Sequence, residues 1–290
     1  MFEETTLSST QKIDAHQHFW QISRGDYAWM TEEVADIRHD TLPADLAPLI
    51  KAQGIDGTIV VQAADTVSET EFLLSLAEAT PFIKGVVGWV DLEADTVLET
   101  LSRLSQNPWF KGIRPMLQDI EETRWIARPK VIEALKHVTE MGLRLDALIT
   151  PRHLDVVAEI AQALPDLPIV IDHCAKPEIA RTKEPGTAWR NVMARLAKCP
   201  NVMCKISGLA NEAGPDWSVG QLKPTVDHVL QVFGPTRLMW GSDWPVLNLA
   251  GHYEGWHTVA EHLFSHLTPD EKIAIFGGTA QHFYGLEQRS

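Results

Sequence analysis

The chain is poor in cysteine, in basic charge and in long apolar runs, and each scarcity removes a class of protein. Its three cysteines, Cys174, Cys199 and Cys204, are odd in number and form no Cys-x-x-Cys pair, which argues against a disulfide framework and against a thiolate zinc site. Basic side chains number 25 against 39 acidic ones, a net charge of −14. Such a field repels polyanions, so neither nucleic acid nor an anionic membrane surface is expected as a partner. No window approaches the roughly 18 consecutive apolar residues of a membrane span. The opening MFEETTLSSTQK has no basic start and no apolar stretch and does not read as a secretory signal. A reducing cytoplasm is the expected location. No Ser/Gly-rich linker or charge block divides the chain into two units.

What is present is a regular alternation. A hydrophobic content of 44% with 22% charge is that of an ordinary globular chain able to bury a large core. Short runs rich in β-branched residues recur near 13–15, 58–61, 83–90, 110–113, 143–148, 169–171, 202–206 and 238–240. Several are apolar nearly throughout, as parallel strands covered on both faces should be. Segments with helical spacing lie between them, among them 68–78, 96–104, 129–141, 151–164 and 220–233. Eight strand–helix alternations predict one closed (β/α)₈ barrel, a TIM barrel forming a single domain over residues 1–290.

In such a barrel the chemistry sits at the carboxyl ends of the strands. Polar residues of this sequence collect there: Asp14, His16 and His18 on the first run, Gln62 on the second, Lys111 and Arg114 on the fourth. Asp172 and His173 end the sixth, Lys205 and Ser207 the seventh, Ser242 and Asp243 the eighth. Strand residues two apart point the same way, so His16 and His18 are expected to aim together into the barrel mouth, where imidazole suits a divalent metal. Each member has an ordinary alternative. His173 would serve as a core histidine bonded to Asp172, Asp243 as a turn residue before Trp244-Pro245, and Arg114 as a surface ion-pair partner. His262 and His266 lack a correctly spaced Glu for a zinc-protease helix and read as a solvated face. Trp20, Trp89, Trp240 and Trp244 lie near strand ends, where an indole can stack on a sugar ring or simply pack a loop.

These residues and their surroundings resemble the amidohydrolase superfamily. The likeness is to its amidohydrolase-related branch of L-fuconolactonase, L-rhamnonolactonase and 2-pyrone-4,6-dicarboxylate lactonase. It spans nearly the whole chain through IDAHQHFW (13–20), RGDYAWM (24–30), GVVGWVDL (85–92), FKGIRPMLQD (110–119), LDALITPRHL (145–154), VIDHCAKP (170–177) and WGSDWPV (240–246). It implies the barrel fold, lactone substrates, and matching roles for His16, His18, His173 and Asp243. Two departures argue against a binuclear metal centre: no carboxylatable Lys ends the fourth strand, and the fifth offers Asp146 where a His ligand would stand. The implied cofactor is one divalent ion, zinc first, on His16, His18 and Asp243; the branch also holds lactonases thought to work without metal.

On this reading the chain opens a sugar-acid lactone to the aldonic acid. Asp243 takes a proton from the attacking water, and His173 polarises the carbonyl or protonates the departing ring oxygen. Arg114, Lys111, Lys205, Gln62 and Trp89 are the expected substrate-binding groups. Two alternatives stand beside it: a metal-dependent decarboxylase or hydratase of an unsaturated or aromatic acid on the same fold, and a sugar-acid binding barrel without catalysis. The ring size and oligomeric state are open at this level.

Overall fold

The computed structural model describes residues 10–182 and 184–286. Eight short segments become strands: β1 (Ile13–Gln17), β2 (Gly57–Val61), β3 (Ile83–Gly88), β4 (Phe110–Ile113), β5 (Arg144–Ala147), β6 (Ile169–Ile171), β7 (Val202–Ile206) and β8 (Leu238–Trp240). They pair in parallel and in chain order. Single helices cross over between the first strands: α1 (Pro43–Ala52), α2 (Val67–Ala79), α3 (Val97–Ser105), α4 (Pro129–Glu140) and α5 (Leu154–Ala163). Helices α6 (Ile179–Thr182) and α7 (Thr187–Leu196) lead to β7, and α8 (Leu209–Ala213) and α9 (Val219–Phe233) to β8. The chain ends in α10 (Tyr253–Leu263), α11 (Pro269–Ile273) and α12 (Thr279–Tyr284). The (β/α)₈ barrel read from the alternation is the fold observed.

Strand periodicity sorts the apolar side chains into two cores. Ile59 and Val61 of β2 join Ile13, Val87, Val170 and Met239 inside the barrel. Val60, Val86, Ile169 and Ile171 pack outward against the helices. Each large apolar side chain buried this way contributes about 1.5–3 kcal/mol. Ala280, Phe283 and Tyr284 of α12 complete the interior cluster and plug the amino end of the barrel. Helix starts are fixed locally: the Thr66 hydroxyl accepts the Glu69 N–H at 3.0 Å to begin α2, and Thr268 and Glu271 cap each other to begin α11. No helix of the described residues is long and apolar enough to cross a membrane.

The seam between the last and first strands matters most for the site. Beyond β8 the chain runs along β1: the Asp243 N–H donates to the His16 carbonyl at 2.8 Å, and the His18 N–H to the Trp244 carbonyl at 2.8 Å. The buried Asp14 carboxylate accepts the Ser242 N–H at 2.8 Å and the Tyr253 hydroxyl at 2.9 Å. The bonds that close the barrel therefore set the two histidines beside Asp243.

Candidate active site

His16 reaches the interior through a local irregularity. The register of β1 against β2 slips between Asp14 and Gln17, as at a β-bulge, so Ala15 and His16 both turn inward although they are consecutive. The His16 ring lies 5.0 Å from that of His18 and 4.5 Å from that of His173, between centroids. His18 is oriented by its Nδ1, which donates to the Val61 carbonyl at 2.8 Å. Its Nε2 faces Oδ1 of Asp243 at 3.2 Å. The same carboxylate oxygen lies 3.7 Å from His16 Nε2 and 3.8 Å from His173 Nε2.

Backbone strain concentrates on the residues that carry these groups. Asp243 has φ 59°, and His173, Cys174, Ala175 and Lys176 have φ 52°, 52°, 59° and 48° in succession. A non-glycine residue in this region costs about 1–2 kcal/mol, so four in a row at the end of β6 mark a turn held by its surroundings. Gly208, with φ +66°, makes room beside it: a Cβ there would lie 2.6 Å from His173 Nδ1 and 3.2 Å from Asp243 Oδ2. The Ser207 hydroxyl stands 2.9 Å from His173 Nδ1 and fixes the ring.

Beneath the histidines lies a fully buried ionic layer. Lys205 Nζ is 2.5 Å from Asp146 Oδ2, 3.1 Å from Asp172 Oδ1 and 3.1 Å from His16 Nδ1. The Tyr284 hydroxyl donates to Asp146 at 2.8 Å. Burial pushes Asp146 up to about 6 against the pull of Lys205. For Asp172 burial acts the same way, but Lys205, His16 and Arg114 outweigh it and hold that carboxyl well below the usual range. Burial, reinforced by Lys205, keeps the His16 imidazole far down despite Asp172. Burial also brings His173 down to about 4 against the attraction of Asp243, so it is neutral near pH 7. Asp243 is itself opposed by burial, yet the three imidazoles around it, His173 first, keep it lowered and ionised.

Above this layer opens a cavity of about 240 Å³ whose wall includes His18, Arg114, His173, Lys176 and Asp243 on its polar side. Trp29, Val34, Met116, Leu148, Val246 and Leu249 supply its apolar side. Four of the residues expected to bind substrate lie outside the lining of this cavity. Lys205 is wholly buried below the cavity in its ion pairs. Gln62 is buried and holds Arg114, accepting its Nε at 3.2 Å and its Nη2 at 2.9 Å. Trp89 lines an adjoining hollow of about 320 Å³ that shares Trp29, Met116 and Asp119 with the first. Lys111 lies near the other end of the barrel, Nζ 3.4 Å from the Gly285 carbonyl and beside Lys84 and Gln11. It precedes Arg114 by three residues, which is about 10 Å along a strand. Arg114 is buried, not a surface ion-pair partner, and His173 bonds Ser207 instead of Asp172. Lys176 and Trp29 were not marked by the sequence reading; their only signal was membership of VIDHCAKP and RGDYAWM.

The donor set suits a metal ion. The His18 Nδ1 proton is committed to a carbonyl, and Nε2 faces a carboxylate oxygen at 3.2 Å, a nitrogen and an oxygen that a divalent ion would join. His16, His18 and Asp243 each offer one ligand atom, all within 4.8 Å of one another.

The profile of the family described as Amidohydrolase matches residues 13–286. The chain belongs to the amidohydrolase family. An L-fucono-1,5-lactonase of Burkholderia ambifaria is 44% identical to this amidohydrolase over 285 residues, covering 97% of this chain and 98% of that protein. An L-fucono-1,5-lactonase of Burkholderia multivorans is 35% identical, with 96% and 97% covered. A crystal structure of a Burkholderia multivorans amidohydrolase with bound zinc superposes with a TM-score of 0.91 at 34% identity, over 96% of this chain and 100% of that one. The amidohydrolase described here is an enzyme of that hydrolytic family.

Proposed function

We propose that this amidohydrolase opens the lactone of a sugar acid of the L-fucono type, releasing the aldonate. The reading is carried by one observation: the Asp243 carboxyl group meets His18 and His173 at the wall of one cavity at the carboxyl rim. The L-fucono-1,5-lactonases similar over nearly the full length support the substrate class.

Asp243, kept ionised by its imidazole neighbours, accepts the proton of the water that adds to the lactone carbonyl carbon. His173 is neutral, and a Ser207 hydroxyl donating to Nδ1 would leave the ring proton on Nε2, available to the departing ring oxygen. Arg114, braced by Gln62, borders the cavity with its guanidinium held toward His16 and Asp172. The apolar wall of Trp29, Met116, Val246 and Leu249 suits the C–H faces of a sugar ring. A divalent ion, zinc first, would be held by His16, His18 and Asp243, where it would lower the pKa of bound water.

A pH-indicator assay in weak buffer tests the proposal with L-fucono-, L-rhamnono-, galactono- and arabinono-lactones and a dicarboxylate pyrone lactone. Acid release is expected to be fastest with the L-fucono substrate. No enzyme-dependent acid from any of them would overturn it.

A further inference from the structure

We propose that Lys176 is the ammonium group that meets the negative charge created during ring opening, and that Glu212 positions it. The inference rests on the lactonase reading and adds a binding residue to it.

Hydrolysis turns a neutral lactone and one water into a carboxylate, a hydroxyl and a released proton. As water adds, its proton goes to Asp243, which becomes neutral, and the carbonyl oxygen gains the charge; as the ring C–O bond breaks, the ring oxygen takes the proton of His173, which recovers one from the new carboxylic acid, and the charge passes to the carboxylate. All of this occurs in a cavity whose wall already carries the side chains of Asp119 and Asp243. A cation facing that cavity would hold the oxyanion and then the product carboxylate there.

The candidates can be separated by where their donors point. Lys205 is buried below the cavity and committed to Asp146 and Asp172. Arg114 spends Nε and Nη2 on Gln62, and its Nη1 lies 3.5 Å from His16 Nε2 and 3.6 Å from Asp172 Oδ2, so its fork is turned into the protein. Lys176 lines the cavity with its side chain a quarter exposed. Its ion pair with Glu212 spans 3.6 Å, and an ammonium carries three donors, more than that one contact can engage.

The left-handed turn gives a second reason. His173 and Lys176 begin and end the run of positive φ angles, and both side chains border the same cavity. A strained turn that brings a proton donor and a cation to one wall is intelligible if both act on one substrate. Glu212, near the end of the short helix after β7, pairs with the ammonium at 3.6 Å and so fixes where it stands.

The test compares wild type with Lys176→Met, Lys176→Arg, Glu212→Gln and Glu212→Asp. The readouts are kcat and KM on the best lactone of the panel, inhibition by its aldonate product, and thermal midpoint. Lys176→Met is expected to raise KM and weaken aldonate inhibition at least ten-fold each, at an unchanged midpoint, with Lys176→Arg recovering part of both. Glu212→Gln should move both in the same direction by less, and Glu212→Asp should restore them. Should Lys176→Met not fold, Lys176→Arg and the Glu212 pair carry the same comparison. An active wild type whose Lys176 and Glu212 variants keep its KM and its aldonate inhibition overturns this inference alone. A wild type that opens no lactone removes the functional reading as well.

Discussion

His18 Nε2 and Asp243 Oδ1 face each other at 3.2 Å while the other nitrogen of the ring is held by the Val61 carbonyl. That contact joins the end of β1 to the turn after β8 and combines barrel closure, carboxylate ionisation and metal affinity in one pair of residues.

Asp243→Asn should leave the fold intact and lower kcat by roughly 10²–10⁴-fold, the usual worth of a general base. Steady-state kinetics beside a circular-dichroism melt checks this. Full activity in the variant would remove Asp243 from the proton-transfer role.

Calorimetric titration of chelator-treated protein with zinc should show one site per chain, with affinity at least ten-fold weaker in His18→Gln. If the wild type takes up no zinc and keeps its activity in chelator, the imidazoles act as hydrogen-bonding groups alone.

Gly208→Ala should disturb the site from outside it. The new Cβ would meet His173 Nδ1 at a backbone φ of +66°, costing on the order of 1–3 kcal/mol in stability and displacing the imidazole. Urea unfolding and kcat should both fall; a variant equal to wild type in both contradicts the close packing.

Lys205→Met removes the cation that holds Asp146 and Asp172 in the barrel interior. Breaking a buried ion pair from one side costs about 3–5 kcal/mol. The double variant Lys205→Met, Asp146→Asn should recover part of that loss in denaturant unfolding. Lys111→Met is the control at the far end of the barrel, expected to leave kcat/KM unchanged.

Glu69 supplies a pH test away from the histidines. Its carboxylate, buried after β2, accepts the Ala63 N–H at 3.1 Å and the Ala64 N–H at 2.8 Å. Burial still pushes it from the ordinary 4.5 to about 7. A raised acid binds its proton more tightly when folded, so its contribution is complete below about 4.5 and lost as pH rises through about 7. Glu69→Gln should therefore flatten the decline in thermal midpoint between pH 5 and 8. Parallel curves for the two proteins would show that Glu69 does not titrate in that window.

The sequence by itself determined the barrel and the rim. Alternating strand and helix periods admit few topologies, and β-branched runs buried on both faces belong in a parallel sheet, so eight strand ends and the polar groups on them were legible. Periodicity placed Lys205 at the end of the seventh run. It does not give height along the barrel axis or the conformation of a turn, and those the tertiary structure decided. Lys111 and Arg114 share one run, yet only Arg114 reaches the cavity. Simple alternation from Ile13 and Ala15 would turn His16 outward, and the register slip in β1 reverses that. Lys176 enters the site through a left-handed turn that no residue pattern announces, because φ angles of that sign in non-glycine residues are imposed by packing around them, here by the Gly208 clearance and the Ser207 hydroxyl, and are not preferred by the residues that adopt them.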